Sequence, residues 1–304
     1  MEKPLVSVVL CCYNGARFLG GQIDSILNQS YQPLELIISD DGSDDGTRSL
    51  LKQYEMNPAV KIFYREKNIG LNRNFAFATQ QVKGELIAFS DQDDVWEKNK
   101  IELLVGAIGT GPLVYSNSLL MDEEGRSMDK KLTDLKKMYS GDDSRGYILS
   151  SCVWGHSMLV TRDLLQRCSP KFSEIQYDIW LAFQAFLNGG IKYSDKVLTH
   201  YRQHTASASK SLPQKQPTRK RTERYHDYKK KLEWIELMQQ NERPAFQPFY
   251  QELLKLYSQK EHRRYVFPLV RFMLQYRKEI FMFSRKSFAS QLVEILKQGR
   301  GERP

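Results

Sequence analysis

The first hundred residues alternate between short strand patterns and helical patterns, and this alternation constrains the fold more than any other feature. Apolar, β-branched runs predict four strands, at Leu5–Cys12, Leu34–Ser39, Val60–Tyr64 and Glu85–Ser90. Between them, amphipathic spacing predicts helices over Phe18–Gln29, Thr47–Tyr54 and Asn72–Gln81. Strands that alternate with helices form βαβ units, so we expect an α/β fold with a mainly parallel central sheet.

The pattern beyond residue 100 is less regular. It predicts three further strands and one helix, at Leu113–Leu120, Val153–Val160, Val197–Tyr201 and Leu181–Leu187. The segment Ser207–Thr218 is rich in Ser, Lys, Gln and Pro, which is typical of a linker. The residues after it have a helical, basic and aromatic pattern. We therefore expect one domain over residues 1–210 and a basic helical tail over residues 211–304.

Polar clusters follow three of the predicted strands directly. Tyr13 and Asn14 follow the first strand, Asp40 and Asp41 the second, and an acidic group from Asp91 to Asp94 the fourth. In parallel sheets, ligands bind beyond the carboxyl ends of the strands. We therefore expect these clusters to meet at one edge of the sheet.

The acidic group after the fourth strand places three carboxylates within four residues, in the order Asp91-Gln92-Asp93-Asp94. Burial of unpaired carboxylates is costly, so the group should lie at the exposed end of the strand. Carboxylate oxygens are the ligands that a hard divalent cation takes, often together with substrate phosphates. The alternative is an acidic turn that caps the next helix.

Composition narrows the setting of the protein. A chain of 304 residues has room for one large domain or two modest ones. Its four cysteines match no zinc pattern and form a poor disulfide framework, which favours a reducing cytoplasm. The apolar run near the start is too short for a signal peptide. No window reaches about 18 consecutive apolar residues, so we expect no transmembrane helix.

The net charge of +9 is unevenly distributed. Residues 210–304 contain 22 Lys and Arg but only 10 Asp and Glu, whereas residues 1–209 carry a net charge of −3. A basic tail on a nearly neutral body indicates an anionic partner, either a membrane surface or a nucleic acid.

Four segments, taken together, resemble the family 2 glycosyltransferases with the GT-A fold. These segments are Val6–Gly15, Ile37–Thr47, Asn68–Asn74 and Asp91–Asp93, and their order and spacing match the family over about residues 5–205. The form Asp91-Gln92-Asp93-Asp94-Val95-Trp96 most resembles the rhamnosyltransferase-like branch of bacterial surface polysaccharide synthesis. The resemblance implies a Rossmann-like GT-A domain that binds a nucleotide sugar through residues 1–100. Residues 101–210 would then carry the acceptor and catalytic part.

The resemblance also implies a nucleotide-sugar site. Asp41 would accept a hydrogen bond from N3–H of the base, although Asp40 and Asp41 would alternatively cap the helix that starts at Thr47. Asp91 would contact the ribose, and the neighbouring Gln92 would add no charge to the site. The remaining residues that would line this pocket are Cys11, Tyr13, Asn14 and Arg73. For Arg73, the alternative is a solvated charge on a helix.

Asp93 is the predicted ligand of Mg²⁺ or Mn²⁺, which would bind the diphosphate of the donor. The late element Tyr201-Arg202-Gln203-His204 resembles one of this branch, and His204 would complete the metal's shell or contact the diphosphate. A lone surface histidine is the alternative. We expect Asp94 to order the loop or to cap a helix that starts near Glu97.

Transfer of a sugar to a hydroxyl needs a base that removes the hydroxyl proton. Asp178 precedes an aromatic-rich helix and matches the family's catalytic carboxylate, and a single base fits inversion at the anomeric carbon. The alternative for Asp178 is an N-cap of the helix at Ile179. Trp154 and His156 fall where acceptor-binding residues lie in relatives, although His156 would also suit a packed core.

The tail interleaves basic and aromatic residues over Tyr265–Phe288. This pattern suits an amphipathic helix on an anionic membrane surface, and the alternative is a helical hairpin packed on the catalytic domain. No recognition signature for nucleic acid accompanies it, so we expect no nucleic-acid partner.

The resemblance, together with the basic tail, implies an inverting, metal-dependent glycosyltransferase at the inner face of the cell membrane. Its donor would be dTDP-rhamnose or a UDP-hexose, and its acceptor a hydroxyl of a lipid-linked glycan. Two other classes stay open, namely a non-catalytic nucleotide-sugar binding module and a membrane-surface scaffold.

Overall fold

The computed structural model describes residues 2–168, 175–204 and 221–302. It divides into two compact units. The first unit contains Met1–Asp142 and Cys152–Ser211, and the second contains Asp143–Ser151 and Leu212–Pro304. The predicted linker Ser207–Thr218 lies outside the described residues.

The described part of the first unit contains nine strands and seven α-helices. The strands are β1 Val6–Cys12, β2 Leu34–Asp40, β3 Val60–Tyr64, β4 Leu86–Ser90, β5 Val95–Trp96, β6 Leu113–Met121, β7 Ser127–Lys131, β8 Met158–Thr161 and β9 Ile191–Arg202. The helices are α1 Leu19–Leu27, α2 Thr47–Leu51, α3 Leu71–Ala78, α4 Lys100–Ile108, α5 Leu132–Leu135, α6 Arg162–Cys168 and α7 Tyr177–Leu187.

All nine strands belong to one sheet with the order β3-β2-β1-β4-β8-β6-β9-β5, and β7 pairs with β6. Strands β1 to β4 are mutually parallel, β8 is antiparallel to β4 and β6, and β9 is parallel to β6. Every residue of β1, β2 and β4 is buried, as expected of a sheet covered on both faces. The predicted α/β class with a mainly parallel central sheet is confirmed.

Helix α1 shows why the sequence folds in this way. Its apolar positions Leu19, Ile23 and Ile26 recur at helical spacing, and all three are fully buried in one core cluster with Val8 and Leu36 of the sheet. Full burial of each such side chain contributes about 1.5–3 kcal/mol. The βα crossovers thus fix the parallel strands and bring their carboxyl ends to one edge.

The segment predicted as one strand over Val153–Val160 has a different structure. Only Met158–Thr161 forms a strand, and Gly155–Ser157 forms a 3-10 turn in which the Ser157 N–H donates to the Trp154 carbonyl. Gly155 packs so closely against Tyr177 that a Cβ at this position would overlap the tyrosine hydroxyl. Strands β5 and β7 and helices α5 and α6 were not predicted, and β5 has only two residues.

The second unit contains five α-helices among its described residues, at α8 Arg221–Asn241, α9 Gln247–Ser258, α10 Phe267–Gln275, α11 Arg277–Ile280 and α12 Phe288–Gln298. It also includes the segment Asp143–Ser151, which the sequence analysis assigned to residues 101–210. The Ser144 hydroxyl binds the Glu242 carboxylate at 2.5 Å and the Tyr250 hydroxyl at 2.9 Å, and all three side chains are buried. These contacts explain why the segment belongs to the helical unit.

Within the described ranges, none of the helices has both the length and the apolar character needed to cross a bilayer.

Candidate active site

The carboxyl ends of β1, β2 and β4 form the floor of the candidate site. Cys12 lies opposite Asp40 in the register of β1 and β2, and Leu10 lies opposite Ser90 in that of β1 and β4. Gln92 joins the loops after β1 and β4. Its Oε1 accepts from the Tyr13 N–H at 2.8 Å, and its Nε2 donates to the Tyr13 carbonyl at 3.2 Å. The polar clusters therefore meet at one edge of the sheet.

Asp41 is held by backbone groups. Its two carboxylate oxygens accept from the N–H groups of Ile69 and Gly70 at 2.9 Å each, and only 3% of the residue is exposed. Gly42 has a φ of +83°, and a Cβ there would lie 2.9 Å from the Asn68 nitrogen. The glycine thus allows the loop before α3 to approach Asp41, because any larger residue would separate the two segments.

Neither Asp40 nor Asp41 caps α2, which was the alternative interpretation of these two residues. The Thr47 N–H donates to the Asp45 carboxylate at 3.0 Å. Asp40 instead accepts from the Ser43 N–H and, at 2.8 Å, from the Arg48 Nε. Asp45 therefore provides the side-chain acceptor for the first N–H group of α2.

The loop after β1 presents the other predicted nucleotide-binding residues. Asn14 has a φ of +48°, and its side-chain oxygen accepts from the Asp44 N–H at 3.0 Å. Tyr13 is 45% exposed, and Arg73 is exposed on α3, so both side chains are accessible to a ligand. Cys11 is buried, and its burial raises the pKa of the thiol well above its usual value, with Cys12, Asp41 and Asp91 adding to the effect.

The three carboxylates of the acidic group have different surroundings. The Asp91 side chain is 34% exposed, Asp93 is nearly buried, and Asp94 is fully buried. The Asp93 Oδ2 lies 2.6 Å from the His204 Nε2, so the two predicted metal ligands adjoin each other. Burial raises the pKa of Asp93, and Asp91 raises it further, whereas His204 opposes the shift.

Asp94 does not cap the following helix, and this part of the prediction is wrong. Helix α4 starts at Lys100, not near Glu97, and its N-cap is Asn99. The Asp94 Oδ1 accepts from the Arg202 N–H at 3.0 Å, and the buried Oδ2 has no hydrogen-bond partner among the described residues. Burial, together with Asp93 and Asp91, raises the pKa of Asp94 well above its usual value.

His156 lies beneath the acidic group. Its Nδ1 is 3.7 Å from Asp91 Oδ2 and 3.9 Å from Asp94 Oδ2, and its Nε2 is 3.0 Å from the Ser118 hydroxyl. Only 1% of the residue is exposed, and burial lowers its pKa. Its surroundings match the packed-core alternative, and a role of His156 in acceptor binding stays a prediction. The half-buried Trp154 retains some exposed surface.

Lys100 is a buried cation that sequence reasoning missed. Its Nζ donates to the His156 carbonyl at 2.6 Å and to the Thr199 hydroxyl at 2.8 Å, and it lies 3.7 Å from the Trp96 ring centroid. Burial lowers its pKa strongly, while Asp94 and Asp91 favour the charged form. A signal was present, because Lys100 shares the apolar stripe of α4 with buried residues at helical spacing.

Arg202 holds the acidic loop in place. Its Nε donates to the Asp93 carbonyl at 2.7 Å, and its Nη1 donates to the Glu123 carbonyl at 2.9 Å. Its guanidinium also lies 4.6 Å from the ring centroid of Phe18, which contacts His204 at a centroid distance of 5.2 Å. Arg202 therefore orients the segment that carries Asp93.

Asp178, the predicted base, lies in the first turn of α7. Its carboxylate accepts from the Ile179 N–H at 2.8 Å and from the Gly155 N–H. Burial raises its pKa to about 6, with a further contribution from Asp91 that indicates the proximity of the two carboxylates. The N-cap position of α7 belongs to Gln176, so capping does not account for Asp178.

The donor atoms at this edge fit a divalent cation. Carboxylate oxygens and imidazole nitrogen are suitable ligands for Mg²⁺ and Mn²⁺. Asp91, Asp94 and His156 have donor atoms within 4.8 Å of one another, and Asp93 and His204 form a second pair. Burial and the neighbouring carboxylates raise the pKa values of Asp93 and Asp94, and a bound cation would favour their ionised forms.

Comparison with solved structures identifies the class of the fold. The structure of Staphylococcus aureus TarS residues 1–349 in complex with UDP-GlcNAc is similar over 96% of this chain and 79% of that chain, with a TM-score of 0.59 and 16% identity. The mannosyltransferase PcManGT from Pyrobaculum calidifontis, in complex with GDP-Man and Mn²⁺, covers 83% of this chain and 69% of its own, with a TM-score of 0.56 and 18% identity. The chain has the GT-A type of α/β fold.

Comparison of sequences then identifies the family. The model of glycosyl transferase family 2 matches residues 7–169, which is more than half of the chain, and the chain belongs to this family. A Bacillus subtilis (strain 168) protein designated a candidate teichuronic acid biosynthesis glycosyltransferase, TuaG, is 36% identical over 131 residues, 42% of this chain and 52% of the relative. An uncharacterised glycosyltransferase from Nostoc sp. is 30% identical over 218 residues, 66% of each chain. The chain thus spans about half to two thirds of these relatives.

Proposed function

We propose that the protein is an inverting, divalent-metal-dependent glycosyltransferase that moves a sugar from a nucleotide donor to a hydroxyl of a glycan. Membership of family 2 supports glycosyl transfer as the reaction class. The observation that carries the proposal is the position of one carboxylate, Asp178, with a pKa raised to about 6 beside the acidic loop.

The donor nucleotide would occupy the edge formed by β1, β2 and β4. Asp41 keeps lone pairs free beyond its two backbone N–H contacts, so its carboxylate can also accept from the base. Tyr13 offers an exposed ring and Arg73 an exposed cation. Cys11 and Asn14 would complete the nucleotide pocket, and Asp91 and Gln92 would face the ribose.

Mg²⁺ or Mn²⁺ would be held by Asp93 and His204, which already adjoin each other. When bound, such a cation neutralises negative charge on the departing nucleoside diphosphate. Arg202 contributes by fixing the Asp93 carbonyl, so that the carboxylate is presented from an ordered loop. The Mn²⁺ complex of a neighbour with the same fold is consistent with this assignment.

Asp178 would act as the base. A carboxylate with a pKa of about 6 is ionised at neutral pH yet basic enough to share a proton with an attacking hydroxyl. The acceptor oxygen then forms a bond to the anomeric carbon as the bond to the diphosphate breaks, and its proton passes to Asp178. Direct displacement by a single nucleophile inverts the anomeric configuration.

The acceptor is proposed to be a lipid-linked glycan used for surface polysaccharide, with Trp154 as a contact. The likeness to the candidate teichuronic acid enzyme TuaG supports this context. dTDP-rhamnose and UDP-hexoses are the proposed donors. Residues 1–210 would form the catalytic domain, and residues 211–304 would hold the enzyme peripherally at the cytoplasmic face of the cell membrane.

Thermal denaturation of the full chain with dTDP, UDP, GDP, CMP or ADP, each with Mn²⁺ or with EDTA, tests the donor and metal assignments. A ligand that binds only the folded state raises the melting temperature. We expect a metal-dependent rise with dTDP or UDP. Asp93→Asn should abolish it, while Asp195→Asn, at a carboxylate that is 82% exposed, should not. No rise with any nucleotide would contradict the proposal.

A further inference from the structure

Two helices of the second unit expose apolar side chains at helical spacing. In α10 the exposed positions Phe267, Arg271 and Leu274 recur at intervals of four and three residues, and in α12 Ala289, Val293 and Leu296 do the same. Such spacing places each set on one face of its helix. The opposite faces are already used, because other residues such as Leu269 and Ile295 are buried.

The two helices run antiparallel beside each other. At one end the Val266 N–H donates to the Gly299 carbonyl at 2.8 Å, and at the other the Arg277 Nη1 donates to Gln291 Oε1 at 2.6 Å. The Tyr265 ring lies 4.6 Å from that of Phe267, and the Tyr265 hydroxyl donates to the Leu296 carbonyl at 3.0 Å. The exposed residues of α10 and α12 therefore adjoin each other.

Four exposed apolar side chains of this helix pair form what we name the α10–α12 face: Phe267 (73% exposed), Leu296 (53%), Val293 (51%) and Leu274 (45%). Nine large hydrophobic residues are exposed in the described part of the chain, and four of them lie on this face. Exposed apolar residues clustered in this way mark a site of interaction.

Positive charge is concentrated in the same segment. Residues 263–300 contain nine Lys and Arg but only two Glu, whereas residues 221–262 are nearly balanced, with eight basic and seven acidic residues. Both glutamates have basic neighbours, since Glu279 lies 3.8 Å from Arg145 and Glu294 lies 3.2 Å from Lys286. Arg271 and Lys278 are exposed next to the apolar residues.

We propose that the α10–α12 face docks on an anionic lipid bilayer, with its apolar side chains in the interface and the surrounding cations on lipid headgroups. Apolar insertion and attraction to anionic lipid are the two contributions that hold amphipathic helices at a membrane surface. A second copy of the chain is a poorer occupant, because two faces with the same positive charge repel each other. If the protein is the proposed glycosyltransferase, the α10–α12 face is the surface through which it would reach a lipid-linked acceptor.

Flotation of the full chain with vesicles tests this surface. The protein should bind vesicles of phosphatidylglycerol and phosphatidylcholine, bind pure phosphatidylcholine far less, and dissociate at high salt. Phe267→Ser with Leu296→Ser should remove most of the binding, whereas Met56→Ser, at a 92% exposed position of the first unit, should not. The double variant Arg271→Glu with Lys278→Glu should lower the partition coefficient by roughly tenfold or more. The control is Lys52→Glu with Lys130→Glu, which changes the net charge equally and should have little effect on the partition coefficient.

Tryptophan fluorescence of the variant Phe267→Trp provides a second measurement that does not require a loss of binding. Phe267→Trp should show a blue shift and quenching by brominated lipid when anionic vesicles are added, whereas Met56→Trp should show neither. Equal binding by the serine variants, or a doubled mass in light scattering that Phe267→Ser abolishes, would overturn the inference. Because neither assay contains donor or acceptor, its failure is distinguishable from failure of the nucleotide and metal assignments.

Discussion

The two sides of the candidate site are built in different ways. On the side of the proposed nucleotide site, called the nucleotide side below, Asp41 is fixed by the backbone N–H groups of Ile69 and Gly70, and the loops follow β1 and β2 directly. On the acidic side, side chains meet from distant parts of the chain, such as Asp93 with His204 and Lys100 with Thr199. The comparison indicates that the nucleotide side depends on local geometry and the acidic side on long-range charge compensation.

The sharpest test of this comparison is Asp178→Asn. The amide keeps the size of the side chain but cannot take a proton, so turnover should fall by about 10²–10⁴-fold. The nucleotide-induced rise in melting temperature should persist, because the nucleotide side does not use Asp178. Steady-state kinetics with the donor selected by the thermal assay would measure the loss.

The matched control for Asp178→Asn is Asp195→Asn, which makes the same chemical change at an exposed carboxylate of β9. Its turnover should equal that of the wild type. If Asp178→Asn retains full turnover, the base lies elsewhere and the inverting mechanism loses its support.

Lys100→Met tests charge compensation on the acidic side. Removal of one partner from a buried charged group costs about 3–5 kcal/mol, because the remaining charge is left uncompensated. We expect a loss of this size in the free energy of unfolding, measured by urea denaturation. The main partner should be Asp94, which is fully buried with one oxygen lacking a hydrogen bond among the described residues.

The double variant Lys100→Met with Asp94→Asn separates charge from packing. If the cost of Lys100→Met reflects the charge of Asp94, neutralising that residue should restore part of the lost stability. Additive losses in the two single variants would instead mean that Lys100 acts only through its hydrogen bonds to His156 and Thr199.

Asp41→Ala examines the nucleotide side. The substitution removes an acceptor from two part-buried N–H groups, and each hydrogen bond to a charged group contributes about 1.5–3 kcal/mol. We expect nucleotide affinity to fall by about 10–100-fold in calorimetric titration, together with a loss of stability from the two broken hydrogen bonds. Asp44→Ala, at an exposed carboxylate of the same loop, should bind the nucleotide like the wild type.

The features that the sequence predicts lie mainly on the nucleotide side, and the features that it does not predict lie mainly on the acidic side. The strands β1 to β4 and the meeting of their polar clusters were predicted, because apolar period and chain order determine a parallel sheet locally. The surroundings of His156 and Lys100 were not predicted. Their partners lie between 38 and 99 residues away, in β6 and β9, and no local pattern encodes such contacts.

The 3-10 turn at Gly155–Ser157 escaped prediction for a related reason. The apolar residues on both sides of the turn have the pattern of a continuous strand. The structure shows why the chain bends there, because Tyr177 packs closely against Gly155 and the Gly155 N–H donates to Asp178. The orientation of Asp178, the proposed base, thus depends on a tertiary contact that the sequence pattern does not contain.

The smallest expected effect concerns pH. The pKa of Asp178 in the folded protein is about 6, above the usual value of an aspartate near 3.8. Between these values the folded state retains a proton that the unfolded state has lost, so the free energy of unfolding decreases as pH rises from about 4 to about 6. Partial exposure of the side chain reduces the effect to about 1–2 kcal/mol.

Asp178→Asn should remove this dependence, because the amide does not titrate. Urea denaturation at pH 4.5 and pH 8 should therefore show the variant gaining stability over the wild type at the higher pH only. In the wild type, kcat/KM should fall below about pH 6 as the carboxylate becomes protonated. If Asp178→Asn loses turnover but gains stability at pH 8, then the buried, ionised carboxylate of Asp178 destabilises the folded protein on the acidic side of the site. Equal stability of both proteins at both pH values would contradict the raised pKa and, with it, the reason for assigning the base to this carboxylate.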